Sequence, residues 1–226
     1  DPGERPVTPL VLAIALLAPP IELTLRPGAV HSYRLTRLYV TLDGTETTEF
    51  RESVMYLVGK EDPGVVTMRR RLDTLVVDGD KIALQGERGW TETSFGVGSD
   101  GTVWDRKTTA EEAPTLLRQL RPLELRLRGS ESAPGSHWTV REGEDPNGAM
   151  TPAIWQYTVE SATPRAVALK LAFAEDGGDP ISGTGTVHLD PRTGWPVRQE
   201  ITIQPTIQPG DEERLPCALK LTLVRR

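Results

Sequence analysis

Three histidines, one cysteine and 32 carboxylates are the side chains of this sequence best suited to hold a metal or move a proton. His31, His137 and His188 lie far apart, and no His-x-His or paired-cysteine spacing accompanies them. A zinc site needs three or four ligands converging on one point, so structural histidines, at the surface or partly buried, account for all three. Cys217 falls in phase with Leu219, Leu221 and Leu223, which makes it a small buried apolar side chain. A reactive thiolate needs a polar pocket with a histidine, and its neighbours supply neither; a single cysteine also excludes an intrachain disulfide. Gly183-Thr184-Gly185 lacks the third glycine and following helix of a dinucleotide loop, and fits a strand opening where backbones approach closely. Gly98-Ser99-Asp100-Gly101 has the wrong spacing for a nucleophile elbow and contains an Asp-Gly turn. No phosphate-binding loop with its lysine is present. The sequence therefore points to no cofactor and no metal, while a catalytic carboxylate pair stays open because nothing singles out two acids.

The remaining candidates are Trp90, Trp104, Trp138, Trp155 and Trp195. Tryptophans on strands commonly anchor a core; the functional alternative is an apolar cavity or a partner-binding patch. Trp155 shares a parity with Tyr157 and Val159, and Trp195 with Val197, which suits either role. These five are the candidate surface for an apolar ligand or a partner.

The elements that must position them are strands. Alternation with a period of two marks half-buried β structure, and it recurs at Ile21-Leu23-Leu25, Leu38-Val40-Leu42, Val54-Tyr56-Val58 and Val66-Met68-Leu72. It continues at Leu123-Leu125-Leu127, Val167-Leu169-Leu171-Phe173 and Cys217-Leu219-Leu221-Leu223. Asp43-Gly44, Asp78-Gly79 and Asp100-Gly101 each sit between such segments, as tight antiparallel hairpins require. Parallel strands would need helices between them, and a single helix is expected, over residues 109–120, with Thr109 and Glu112 as a capping box and Pro122 as the stop. The fold class is all-β with one short helix: an antiparallel, strongly curved sheet forming a half-barrel or sandwich.

Composition agrees. The chain of 226 residues has 21 glycines and 19 prolines, which suits one β domain better than a helical bundle. A net charge of −6 argues against nucleic acid as a partner. Arginines cluster at Arg69-Arg70-Arg71 and at Arg118, Arg121, Arg126 and Arg128, and a solvated strand face and helix end explain both groups. Residues 1–20 form an apolar N-terminal segment, with Val7 to Ala18 resembling a signal-peptide core too short to span a bilayer. It reads as an uncleaved signal, an anchor giving peripheral membrane association, or a core strand.

The halves 21–108 and 123–226, joined by the helix, echo one another. Arg26-Pro27-Gly28 leading to His31 and Tyr33 parallels Ala133-Pro134-Gly135 leading to His137 and Trp138, and residues 99–104 parallel 192–197. A Pro-Gly opening with an aromatic strand, Asp-Gly hairpins, a mid-chain helix, Pro-Gly-Ser-His-Trp and a late Gly-Thr-Gly-Thr-Val-His-Leu-Asp with Thr-Gly-Trp-Pro-Val follow in order. Over Leu25 to Ile203 this order resembles a loose group of uncharacterised, usually exported bacterial β proteins. Some of them are similar in outline to the lipoprotein-carrier fold, a curved half-barrel whose concave face is closed by helices. The resemblance implies export to the periplasm or cell envelope and carries over no catalytic residue. Three functions are compatible with the sequence. The favoured one is a non-enzymatic interaction or scaffold protein of an envelope or larger assembly, with a protein partner. The second is a carrier of a lipid or other apolar small molecule, and the third is a hydrolase with an acidic site.

Overall fold

Each Asp-Gly turn reverses the chain between two hydrogen-bonded strands, as does Asp62-Pro63-Gly64. In the computed structural model, residues 20–84, 89–108, 114–127, 130–143, 151–177, 180–207 and 216–226 are described. The N-terminal apolar run, the Thr109–Glu112 capping box and Arg128 lie outside them. The strands are β1 (Val30–Thr41), β2 (Thr47–Val58), β3 (Val65–Val77), β4 (Asp80–Ile82), β5 (Thr91–Val97) and β6 (Val103–Thr108). After helix α1 (Pro114–Leu120) come β7 (His137–Glu142), β8 (Ala153–Ala162), β9 (Val167–Glu175), β10 (Ser182–Leu189), β11 (Pro196–Ile207) and β12 (Pro216–Arg225). They make one sheet in the order β6-β5-β3-β2-β1-β12-β11-β10-β9-β8-β7, with β4 beside β3. Every pairing is antiparallel. The sheet is open, with β6 and β7 as its edges.

Curvature follows from what the strands share. Phe95 on β5 and Pro196 on β11 line the same small cavity. Those strands are five steps apart, roughly 24 Å across a flat sheet at the usual strand spacing. Only a sheet bent round on itself brings them together. Its concave face carries Tyr33, Leu35, Val54, Val66, Trp155, Leu169, Val187, Ile203 and Leu221 as a continuous core.

Two stretches expected to be strands are instead buried threads. Ile21 and Leu23 are buried, yet the segment joins no ladder. Its amides donate singly, Leu23 to the Ser99 carbonyl at 2.7 Å and Thr24 to the Thr193 carbonyl at 2.8 Å. Leu123, Leu125 and Leu127 are buried as expected, but so is Arg126 between them. After α1 the chain makes a 3-10 turn (Arg121–Leu123) with Pro122, which has no N–H to extend a helix. It then runs extended along the concave face, with the Leu127 amide donating to Asp100 at 2.7 Å. Two left-handed turns make room for these threads: a side chain on Gly101 (φ 76°) would meet the Leu125 carbonyl at 2.3 Å, and one on Gly194 (φ 67°) the Glu22 carbonyl at 2.1 Å.

On β1 the expected inward set Leu38-Val40-Leu42 is reversed. Tyr33, Leu35, Arg37 and Tyr39 point inward, and Leu42 is 61% exposed. The reversal is possible because Arg37 meets a carboxylate inside.

Candidate apolar-ligand site

The linker from α1 through Leu127 lies against the concave face and brings charge with it. Arg118 Nε donates to Glu175 Oε2 at 2.5 Å, and Arg121 approaches Glu142 at 3.3 Å and Glu175 at 3.9 Å. Arg126 pairs with Glu142 on β7 and, through Nη2, with Glu124 Oε2 at 2.8 Å; Arg106 on β6 closes the series on Glu124. The gap between the two sheet edges is therefore spanned by a chain of ions, Arg106–Glu124–Arg126–Glu142, whose middle members belong to the linker. A second group lies deeper. Arg37 Nε donates to Glu52 at 2.7 Å and Arg70 Nη1 to the other oxygen at 3.1 Å, while Tyr39 Oη donates to Gln119 at 2.6 Å. The expectation of a solvated strand face and helix end is thus corrected for Arg70, Arg121 and Arg126, which are buried, while Arg69 and Arg71 stay partly exposed; Arg37 is buried as well. Buried charge is tolerated only when paired, and the partners come from distant strands.

Electrostatics follow from this arrangement. Burial raises the Glu124 carboxyl, but Arg106 and Arg126 outweigh it and hold the group below the usual range. So held, Glu124 is not a proton donor near neutrality. Burial pushes Tyr39 and Tyr56 up to about 12. His31, buried and near Arg225, is lowered to about 4. Among the described residues no three His, Cys, Asp or Glu side chains group as a metal site would require.

Beside the linker are two adjoining cavities of about 50 and 30 Å³. Both are bordered by Tyr56, Phe95, Leu123, Glu124 and Leu223. The larger adds Val97, Val103 and Trp195, the smaller Met68, Arg70, Arg106 and Leu117. Of these shared residues, Leu123 and Glu124 belong to the linker. Each cavity holds no more than a few water-sized spheres.

The linker is gripped unequally. From the β7–β11 side, Trp138 Nε1 donates to the Arg126 carbonyl at 2.9 Å and Gln199 Nε2 to the Leu123 carbonyl at 3.2 Å, while the Arg126 amide donates to Tyr157 Oη at 3.2 Å. The β2, β3, β5 and β6 wall offers mostly apolar side chains.

The structure divides the five tryptophans. Trp155 is fully buried, edge-on to Phe173 and facing the guanidiniums of Arg121 and Arg126 at 5.0 and 4.9 Å from its ring centre. Trp138 stacks on Tyr157 at 4.9 Å. Trp195 stacks on His31 at 4.1 Å, donates to the Thr24 carbonyl and borders the larger cavity. Trp104 lies exposed over Gly96 on the convex side, and Trp90 is exposed beside Arg71. Of the five, only Trp195 borders either cavity, and it is the larger one. The cavities' charged rim, Arg106 and Glu124, escaped the sequence reading; only the apolar-charged alternation at 123–127 hinted at it.

The two Pro-Gly openings are built alike, one residue out of the expected register. Gly28 donates to Val58 and Val58 to Ala29; Gly135 donates to Val159 and Val159 to Ser136. This aligns His31 with Trp138, both buried and opposite Tyr56 and Tyr157, and leaves His137 exposed in the place of Val30.

Comparison with known proteins gives a fold. No family model and no curated protein matches the chain. A solved structure entitled "Lipid-protein interactions in lipovitellin" is similar with a TM-score of 0.56 at 12% identity, over 90% of this chain. The chain spans 25% of that lipovitellin chain. At this identity the likeness is one of architecture.

Proposed function

We propose that this protein is a non-enzymatic binder of an apolar small molecule, taken up between the linker and the wall of β2, β3, β5 and β6. The observation that carries it is the pair of adjoining, largely apolar cavities on that side, both bordered by Leu123 and Glu124 of the linker. Binding sites for small molecules are mostly apolar hollows with a few placed polar groups, and Arg106, Glu124 and Tyr56 are such groups here. The described volume is too small for a long chain, so uptake displaces Leu123 and Glu124. The lipovitellin structure of similar fold concerns lipids, which supports the same reading.

The test is titration with the neutral fluorescent probe N-phenyl-1-naphthylamine, beside native mass spectrometry of gently purified protein. Saturable binding is expected, weakened about tenfold or more by Val103→Phe, which fills the larger cavity; tenfold corresponds to about 1.4 kcal/mol. Absence of saturable binding, or equal binding by a folded Val103→Phe protein, overturns the proposal.

A scaffold role rests on a different observation. Val65 and Trp104 flank Gly96 in register across β3, β5 and β6, both exposed on the convex side next to a free sheet edge. An exposed apolar row at an edge suits a protein partner. Analytical ultracentrifugation checks for self-association through it: a Trp104→Ser variant shifts an associating protein toward monomer, and a monomer at all concentrations excludes that form of the role.

A further inference from the structure

The linker fills the concave face and also supplies a carboxylate to it. Arg126 pairs with two carboxylates, Glu124 and Glu142. Arg106 pairs with Glu124, among the described residues, and otherwise lies near the Phe95 ring at 6.0 Å. Arg106 and Glu124 are each about one-fifth exposed and border the smaller cavity. A tail longer than the cavities must push Leu123 and Glu124 aside. Moving those two breaks the Gln199 hydrogen bond to the Leu123 carbonyl and the Arg106–Glu124 contact, whereas Arg126 stays with Glu142, Trp138 and Tyr157. Arg106 then faces an apolar hollow without its counter-charge. A guanidinium keeps its proton at ordinary pH, and removing one partner of a sequestered ion pair is far more costly than exchanging it. The incoming molecule has to bring the missing anion.

We propose that the ligand is a single-chain amphiphile with a carboxylate head, whose oxygens replace those of Glu124 on Arg106 while the tail occupies the merged cavity. The planar fork of arginine matches a carboxylate in a two-point contact. Arg70, held by Glu52, borders the same cavity and adds to its positive field. This inference rests on the apolar-ligand reading above and specifies its head group.

The experiment is calorimetric titration of the full chain with dodecanoate, dodecanol and dodecyltrimethylammonium at one pH near 7.5. Dodecanoate is expected to bind at least about tenfold more tightly than dodecanol, with the cation weakest. Arg106→Gln reduces dodecanoate to the level of dodecanol and leaves dodecanol nearly unchanged. Glu124→Gln, which removes the competing carboxylate, raises dodecanoate affinity several-fold and gives a second readout should Arg106→Gln fold poorly. Equal binding of acid and alcohol to the native protein, or an undiminished preference in Arg106→Gln, overturns the head-group assignment while the apolar site stands. Failure of all three compounds to bind overturns both.

Discussion

The two walls of the curved sheet bury their inward residues to different depths. On β8 to β12, Trp155, Leu169, Val187, Ile203 and Leu219 are completely enclosed. On β2 to β6, Val54, Val58, Val66 and Val97 are enclosed too, but Phe50, Tyr56, Met68, Phe95 and Val103 beside them pack only partly, and both cavities border this side. The linker is hydrogen-bonded along the first wall, whereas the second holds it at the β5–β6 turn, through Asp100, and at Arg106, and otherwise meets it with apolar side chains. Dense packing with directed hydrogen bonds fixes one position, whereas partial apolar contact leaves room for a substitute. The difference separates a frame from a receptive side within one continuous sheet.

Several measurements would break or sharpen that contrast. The largest effect is expected from Leu169→Ala, which should lower unfolding free energy by about 3 kcal/mol in urea titration, against about 1 kcal/mol for Met68→Ala at the half-filled wall. Equal losses would remove the distinction. Next is Glu142→Gln, which leaves Arg126 with Glu124 alone. A loss of about 2 kcal/mol is expected, smaller than for a fully enclosed pair because Glu142 is about one-quarter exposed. The double variant Arg126→Leu with Glu142→Leu should recover much of it.

Acid supplies a third comparison. Folded His31 takes up its proton only near pH 4, while an unfolded histidine does so near 6.5. Stability is therefore lost as pH falls from about 6.5 toward 4, by about 1–2 kcal/mol after allowing for a partly solvated ring. His31→Phe should flatten this part of the stability curve. Glu124 acts in the same direction at lower pH: its lowered carboxyl contributes above the ordinary glutamate range, and the contribution disappears as pH falls through the folded value. Glu124→Gln should remove that second decline and leave the first. The smallest effect is expected at Trp104, where replacement by serine changes stability by about 0.5 kcal/mol or less while removing an exposed fluorophore.

Much of the architecture was readable in the sequence because turns are local. Asp43-Gly44 and Asp100-Gly101 carry their own instructions, and the strands between them follow. Face and partner are not local. Alternation at residues 123–127 announces extended backbone but not whether a neighbouring strand pairs with it, and here the thread is buried except at Glu124. Arg37 looks like a surface residue until Glu52 and Tyr39 are known to meet it. The same holds for Arg121, whose carboxylates lie on β7 and β9, and for Arg126, which meets Glu142 on β7 besides its near neighbour Glu124. Trp138, Trp155 and Trp195 lie in the interior and Trp90 and Trp104 do not, a division that alternation alone does not show, and the charged pair at the cavities was invisible without the linker's path.

The strand nearest the start of the described chain, β1, finds one of its two neighbours in the last, β12, through nine residue pairs from Tyr33–Arg225 to Thr41–Cys217. During synthesis β1 to β11 can emerge while this side of β1 still has no partner. Pairings that wait for distant sequence form slowly and leave edges open to intermolecular association. A ribosome-bound chain that stops before residue 216 should accordingly depend on chaperones for solubility until β12 (Pro216–Arg225) arrives to pair with β1.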